Sequence, residues 1–508
     1  MSLFEQVKKL ISTKKYREAV DIFANLSQEE FTPEIKGLAG QCFYEMKNFD
    51  LAQDYLIDSL VEKYNNKNAK LLENILTSQN NNDALLGLKI MMHENNPKDI
   101  FILRDITELA QKIKNYDMAV QYFNVLLNKS PNDYVAWNNL GLVYEEINEW
   151  EKAENCYKKA LSLKDFFSPN FNLGIISRKL HKFDDAIGYA QKAVKQNPES
   201  PQPKYSLGMT YLMMKDFEKG YPLYADHMTK IMPHYYKNEW DGEKHTDSSL
   251  CIFVPGGLGD MIMFARYLDY VRECFRKIYI ILPKTLHKLF KNNYPFLEII
   301  DSSEIFTDYD YAITPMHLLK IFNLDFNEFV PYTSGYMKAD ETLSEKFKQK
   351  FFNHNKIKIG INWHGNREGT RTFFNRSMPL ECLEPVFEVF KDKAVFYSVQ
   401  KDDAHTDCAK YPFIVDLFDE ITDFNDTASI FENLDFLISI DSSPVHMAGA
   451  VGLPTYMLLP YANEWRWFIN DTKSIWYDFV EIVRQDKEGD WDSAVQKLLI
   501  NFKNFQKF

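Results

Sequence analysis

The residues best placed for chemistry lie in Asp441-Ser442-Ser443-Pro444-Val445-His446. They follow an apolar run, Leu434 to Ile440, that reads as a buried strand of a parallel sheet. They open a helix whose Gly452 suits a C-cap and whose continuation Pro454 forbids. A helix start at the C-terminal end of a strand gathers free backbone N–H groups at the positive end of the helix dipole, a combination that attracts phosphate. Ser442, Ser443 and His446 can add side-chain donors, and Asp441 can accept from a sugar hydroxyl. The same residue types also suit an ordinary capped helix. A second candidate is the turn Gly256-Gly257-Leu258-Gly259-Asp260, which follows the apolar strand Leu250–Val254. Its glycines are not spaced as GxGxxG, which weakens a dinucleotide reading. What Gly256, Gly257 and Gly259 offer is backbone that allows close approach. Asp260, at a helix start, has the type and place of a general base for an acceptor hydroxyl, or of a simple helix-start acid. A third candidate is the group Arg367, Arg371 and Arg376, beyond the strand Lys358–Trp363 and the loop His364-Gly365-Asn366. Arginine forks match a diphosphate, and a solvated face is the other reading.

These stretches recur at the ends of predicted strands in an alternating βα pattern from Leu250 onward, with Ile278–Leu282, Leu297–Ile300, Tyr311–Thr314, Ala394–Val399 (ending at Gln400), Ile414–Leu417 and Thr455–Leu459 as further strands. The pattern predicts two Rossmann-like lobes, whose ligands bind outside the C-terminal strand ends. The loops after Val254, Trp363 and Ile440 then face one cleft, with Asp260 on one wall and Ser442, Ser443, His446 and the arginines on the other. Asp308-Tyr-Asp310 has a metal-type spacing but reads as loop.

The first half is a repeat. Ala19, Ala52, Ala84, Ala119, Ala153, Ala186 and Gly220 recur at steps of 32 to 35 residues, with aromatic-acidic pairs such as Tyr116-Asp117 and Phe183-Asp184 before them and Leu140-Gly141, Leu173-Gly174 and Leu207-Gly208 on the preceding helix. A period near 34 with small and aromatic positions resembles the tetratricopeptide repeat, stacked helix pairs with a concave face. Trp240-Asp241-Gly242 and the polar stretch Glu243–Ser249 mark the junction.

Composition narrows the class. At 508 residues and 45% hydrophobic content, two to four domains with substantial cores are expected. A net charge of −13 argues against nucleic acid and anionic membrane as general partners. The six cysteines show no paired spacing and read as free thiols of a reducing cytosol. No stretch is long and apolar enough to span a bilayer, and the N-terminus reads as an amphipathic helix, so a cytoplasmic protein is expected.

Taken in order, Gly256–Tyr267, Gly360–Asn366, Asn375–Leu380, Ser439–Pro454, Pro460–Trp467, Trp476-Tyr477 and Arg484-Gln485 resemble bacterial tetratricopeptide-repeat glycosyltransferases, whose catalytic half is similar to the lipopolysaccharide heptosyltransferases of glycosyltransferase family 9. The likeness runs from about Asp117 onward. It implies a fold of class α + α/β: a TPR α-solenoid over 1–242, then a GT-B glycosyltransferase with an acceptor-side lobe over 243–345 and a nucleotide-sugar lobe over 346–508. It implies an inverting transfer without metal or cofactor from a nucleotide-sugar, ADP-heptose being one candidate, with Asp260 as base. The donor is expected against Trp363, Gly365, Asn366, Arg376, Gln400, Asp441, Ser442, Ser443 and His446. A protein or peptide acceptor is expected on the concave face of the array. His317 stands where the family usually has serine, and Ser442-Ser443 where threonine is commoner. Two other functions remain open: a non-catalytic TPR scaffold with a degenerate glycosyltransferase domain, and an enzyme of another class, such as a sugar-nucleotide epimerase.

Overall fold

The computed structural model describes residues 3–231, 238–253, 256–321, 335–365 and 376–504. The chain forms two compact units, Met1–Pro169 and Asn170–Phe508. Of the expected site residues, Asn366 lies outside the described residues, as do Arg367, Arg371 and Val254.

The first unit is helical from Leu3–Ser12 to Trp150–Leu163. Its recurrent small residues are where helices touch. Ala19, Ala52, Ala119 and Ala153 are fully buried. A Cβ on Gly40 would lie 2.6 Å from Leu56 Cγ, and one on Gly141 would lie 2.5 Å from Tyr157 Cε1. The turns within the helix pairs share one device. Lys14, Lys47, Asn80, Lys114 and Asn148, 33 or 34 residues apart, each hold a left-handed φ between 54° and 61°. In three of them the next residue, Asn48, Asn81 or Asn115, caps the second helix by accepting from Leu51, Ala84 or Met118 N–H. One left-handed residue reverses the chain and the asparagine starts the next helix. The asparagine-rich run at 79–83 contains one of these turns.

The second unit begins with the remaining repeat helices, among them Phe183–Gln196, Pro201–Met213 and Phe217–Ile231. The last of these continues through Pro222. Two sheets follow. The first contains β1 (His245–Phe253), β2 (Phe275–Leu282), β3 (Leu297–Asp301) and β4 (Tyr311–Ile313). The second contains β5 (Ile357–Asn362), β6 (Ala394–Ser398), β7 (Ile414–Asp416), β8 (Phe436–Ile440), β9 (Thr455–Leu459) and β10 (Val480–Arg484). Among the described residues every strand pair is parallel, in the orders β3-β2-β1-β4 and β10-β9-β8-β5-β6-β7. The polar stretch expected as a linker instead enters β1 at His245, which pairs with Phe275 ahead of a register shift. Asp310 accepts from both the N–H and the hydroxyl of Ser249 at 2.8 Å and so ties down this strand. The last repeat helices share their core with this region: Met209, Leu212, Tyr221 and Tyr224 pack in one cluster with Ile252, Met263, Trp465 and Trp476.

Among the described residues no helix is long and apolar enough to cross a membrane, and all six cysteines are free.

The turn geometry makes a prediction. A left-handed lysine carries a Cβ penalty that glycine lacks. Lys114→Gly is expected to stabilise the first unit by about 0.5–1 kcal/mol, offset in part by the larger entropy of its unfolded chain. Glycine at Glu108, inside the helix Ile100–Lys112, is expected to lose about 1 kcal/mol. Chemical denaturation of the two variants measures both; equal losses would contradict the assignment.

Candidate active site

In both sheets the strand order reverses direction once, between β1 and β4 and between β5 and β8. A crevice opens at such a point outside the carboxyl ends of the strands. The loops after β1, β5 and β8 that carry the candidate residues all leave from those ends.

At the end of β8 the expected helix is present as Ser443–Val451, with Pro444 in its first turn and Gly452 left-handed at φ 87°. Ser442 is the N-cap residue, but its hydroxyl makes no capping bond. It donates instead to Asn362 Oδ1 at 2.7 Å. Asn362, buried at the end of β5, also accepts from Ser439 and donates to Gln400 Oε1 at 2.8 Å, so one amide spans the reversal point. The Ser443 hydroxyl has no partner among the described residues and is half-buried. Asp441 is buried, with Arg376 Nη1 at 3.8 Å.

The helix Leu258–Phe264 packs against Ser443–Val451 at its own start. A Cβ on Gly259 would lie 2.5 Å from His446 Cδ2, whereas one on Gly257 would meet nothing nearer than Asp260 Oδ2 at 3.9 Å. Gly256 is held close to the Asp260 carboxylate, at 2.6 Å from the same notional atom. Asp260 and the Asp441–His446 segment therefore belong to adjoining walls. The His446 ring is buried, shares a 2.8 Å hydrogen bond with Tyr477 and stacks on Trp467. Burial, and then the nearby Arg466, Arg266 and Arg376, push its pKa well below the ordinary value. It is neutral, and it joins helices within the protein.

The Asp260 carboxylate accepts from Gly257 N–H at 3.0 Å through Oδ2 and pairs with Arg466 through Oδ1. About 20% of its side chain stays exposed. Arg466 also donates to Glu464 at 2.8 Å and to the Tyr224 hydroxyl at 3.3 Å. Burial works against the Arg466 charge, but Asp260, Tyr224 and Glu464 outweigh it, and its pKa stands well above the ordinary value. Burial raises the pKa of Glu464, with Arg466 opposing. Sequence reasoning did not single out Arg466, Glu464 or Asn362. The available signals were charged residues between the tryptophans of Glu464-Trp465-Arg466-Trp467 and an asparagine ending an apolar strand, where a buried amide demands partners.

The remaining residues shape the loop after β5. Trp363 is buried and its N–H reaches Gln400 Oε1 at 3.2 Å. Gln400 also accepts from His364 N–H at 3.0 Å and donates to His364 O at 2.8 Å and Asp402 at 2.9 Å. Its amide thus positions the loop from within. Gly365 N–H donates to the Ser377 hydroxyl at 3.1 Å, beside Arg376. His317 shares a 2.7 Å hydrogen bond with Thr314.

The fold and this geometry define a protein with an array of tetratricopeptide repeats followed by a parallel-sheet α/β region. The family described as tetratricopeptide repeat matches residues 134–166. The chain is 21% identical over 451 residues to Protein FlbA of Caulobacter vibrioides, covering 80% of this chain and 74% of that one. It is 29% identical over 128 residues to anaphase-promoting complex subunit CDC16 of Saccharomyces cerevisiae, covering 24% of this chain and 15% of that one. Among solved structures, that of MamA aligns with 32% of this chain and 95% of its own at 15% identity and a TM-score of 0.30.

Two predictions follow from the packing. Gly259→Ala drives a methyl into a ring confined by Tyr477 and Trp467 and is expected to destabilise the second unit by about 1–3 kcal/mol, while Gly257→Ala changes little; thermal melts of both give the comparison. Glu488 accepts from Ala462 N–H at 3.4 Å, and burial pushes its pKa from 4.5 up to about 7. The folded state then binds this proton more tightly than the unfolded chain, so the stabilisation is full below about pH 4.5 and is lost as pH rises through about 7. Glu488→Gln is expected to gain on the order of 1 kcal/mol over the wild type at pH 8, with the gain vanishing towards pH 4.5. Parallel melts of the two proteins across that range check this, and a gain that grew towards low pH would contradict it.

Proposed function

We propose that the α/β region is an inverting glycosyltransferase of GT-B architecture that moves a sugar from a nucleotide-sugar to an acceptor hydroxyl. The observation that carries this reading is the direct packing of the Asp260 helix on the Ser443–Val451 helix, with Gly259 against His446. It sets a partly exposed carboxylate beside a helix start whose cap hydroxyl is turned away, with Ser443 on that helix and Arg376 beside Asp441. In this reading Asp260 takes the proton of the acceptor hydroxyl as its oxygen bonds to the anomeric carbon from the face opposite the leaving group. The bond between that carbon and the diphosphate oxygen breaks, and the nucleoside diphosphate leaves with the bonding pair. Arg376, Ser443 and the backbone N–H groups of the helix start stabilise its charge. Asp441 accepts from the sugar. Asn362 and Gln400 hold the loops, and His446 holds the two walls together. The resemblance to metal-independent transferases assigns this role to side chains and helix end rather than to a bound ion.

The repeats bind a polypeptide partner in this reading. A cavity of about 440 Å³ lined by Arg104, Ser130, Pro131, Asn132, Asp133 and Tyr134 offers polar and aromatic groups on the first unit.

One observation favours a second reading. Arg466 already occupies one oxygen of Asp260 and Gly257 N–H the other, as befits a carboxylate retained for structure. The protein would then be a scaffold whose α/β region has lost turnover, in keeping with the likeness of its repeats to a subunit of the anaphase-promoting complex.

A thermal-shift panel of ADP-, UDP-, GDP- and CMP-sugars is expected to identify one stabilising donor class, because a ligand bound only by the native state raises its stability. With that donor, Asp260→Asn is expected to keep binding and to lower kcat by about 10²–10⁴-fold. Undiminished turnover in this variant would remove Asp260 as the base, and a panel without any binder would favour the scaffold.

A further inference from the structure

The imidazole of His364 has no part in the chemistry outlined above, yet the loop after β5 is built around it. Its backbone N–H donates to Gln400 Oε1 at 3.0 Å, and its carbonyl accepts from Gln400 Nε2 at 2.8 Å. Gln400 Nε2 also donates to Asp402 Oδ1 at 2.9 Å, and Asp402 Oδ2 lies 2.6 Å from His364 Nδ1. Backbone, amide, carboxylate and ring thus close on one another, and the amide at the centre is buried. An ionised carboxylate only accepts, so Nδ1 carries the hydrogen of this contact. Nε2 is left over. It has no partner among the described residues, and 24% of the side chain is exposed. A histidine with aspartate on one ring nitrogen and the other nitrogen open is an arrangement that moves protons. The loop also borders the crevice at the reversal of the second sheet. A Cβ on Gly365 would lie 3.4 Å from Ile440 Cδ1, at the end of β8. Gly365 N–H is tied to the Ser377 hydroxyl, and Arg376, one residue earlier, stands 3.8 Å from Asp441. His364 therefore belongs to the loop that flanks the helix start assigned above to the leaving diphosphate.

We propose that His364, oriented by Asp402 and Gln400, is the general acid for the departing nucleoside diphosphate, the counterpart on the second sheet of Asp260 beside the first. This role rests on the glycosyl-transfer reading above. As the bond between the anomeric carbon and the diphosphate oxygen breaks, its electron pair stays on that oxygen and takes up the Nε2 proton. The N–H pair returns to Nε2, and Nδ1–H stays on Asp402. The proton that Asp260 removed from the acceptor passes to solvent, and His364 takes one back, so the count closes over a turnover. Charge supports an acid here. A ring that already bears Nδ1–H can gain a second proton only at Nε2, and the negative charge of a bound diphosphate favours that form. Arg376 faces Asp441, so part of its charge is already offset. Charge developing on the leaving oxygen then calls for a further donor, and a proton neutralises it outright. Asp402 and Gln400 do not meet the substrate in this scheme; they are positioning residues.

The test uses the full chain and the donor identified by the nucleotide-sugar panel, and follows release of nucleoside diphosphate with water as the acceptor. His364→Gln is expected to lower kcat by about 10²-fold while the donor Kd stays within about threefold of the wild type. Imidazole added to His364→Ala is expected to recover about tenfold of the lost rate, because it supplies the missing proton donor. Calorimetric titration of the donor at about pH 7.5, in two buffers of different ionisation enthalpy, is expected to show proton uptake by the wild type and none by His364→Gln. The retained donor Kd reports folding. If both His364 variants fail to fold, Asp402→Asn, which keeps the ring, is expected to lower kcat at unchanged donor Kd. Full-rate release by His364→Gln would remove the acid and leave glycosyl transfer standing. A loss matched by weakened donor binding and not relieved by imidazole would make His364 a brace of the loop, and would equally overturn the proposal. A wild type that consumes no donor, with water or with any hydroxyl acceptor, would remove the underlying reading and the acid with it.

Discussion

A buried guanidinium is the constraint on which the second unit depends. Arg466 has 8% of its side chain exposed and must recover in hydrogen bonds what it gives up in hydration. Its partners come from three separated parts of the chain: Asp260 after β1, Glu464 in its own loop after β9, and Tyr224 on the last repeat helix. Removing any one leaves charge or polarity uncompensated in a low-dielectric interior, so the three parts are held in register by the requirement to satisfy one side chain. The loop bearing Arg466 is seated on the repeat helices at further points. His181 stacks on Tyr461 at 4.4 Å, Tyr224 packs edge-on against Trp465, and Lys215 reaches Asp471 at 2.8 Å. The end of the array is thus part of the wall that places the candidate base.

Close helix contact supplies the second constraint. Gly259 admits the His446 ring, and Gly449 admits Tyr477, whose Cδ1 would lie 2.2 Å from a Cβ there. Arg266 completes this seam. It is buried, donates to Trp476 O at 2.7 Å, and sits over the rings of Tyr336 and Tyr477. A neutral histidine fits this setting, since burial disfavours its charge and a third cation near Arg266 and Arg466 would be repelled. Within the second sheet, Asn362 and Gln400 use amides to bind loops from three strands. The candidate residues in the motifs therefore divide into those whose polar groups are spent on the fold, such as Ser442 and His446, and those that are still partly exposed, chiefly Asp260, Ser443 and Arg376.

The period of the repeats and the βα alternation were legible because both come from local rules. Small residues at a fixed step mark helix contacts, and apolar strands followed by capped helices mark parallel sheets. The strand, helix and left-handed glycine around Phe436–Gly452 are where residue types alone put them. The left-handed turns were not legible, since lysine is an unusual residue there and only their regular recurrence exposes the device. The start of β1 was hidden for a related reason. Its first residues are polar, and pairing with β2 rather than burial makes them strand.

The sequence by itself determined the repeats, the parallel α/β region and the short stretches where chemistry could occur, because each depends on neighbours within a few turns of chain. Only the tertiary structure decided the roles within those stretches: Ser442 turns from its helix to Asn362, His446 is enclosed, and Asp260 is paired with an arginine 206 residues away. No local pattern specifies such pairings. They arise because a buried polar group takes whichever partner the packed fold brings within reach.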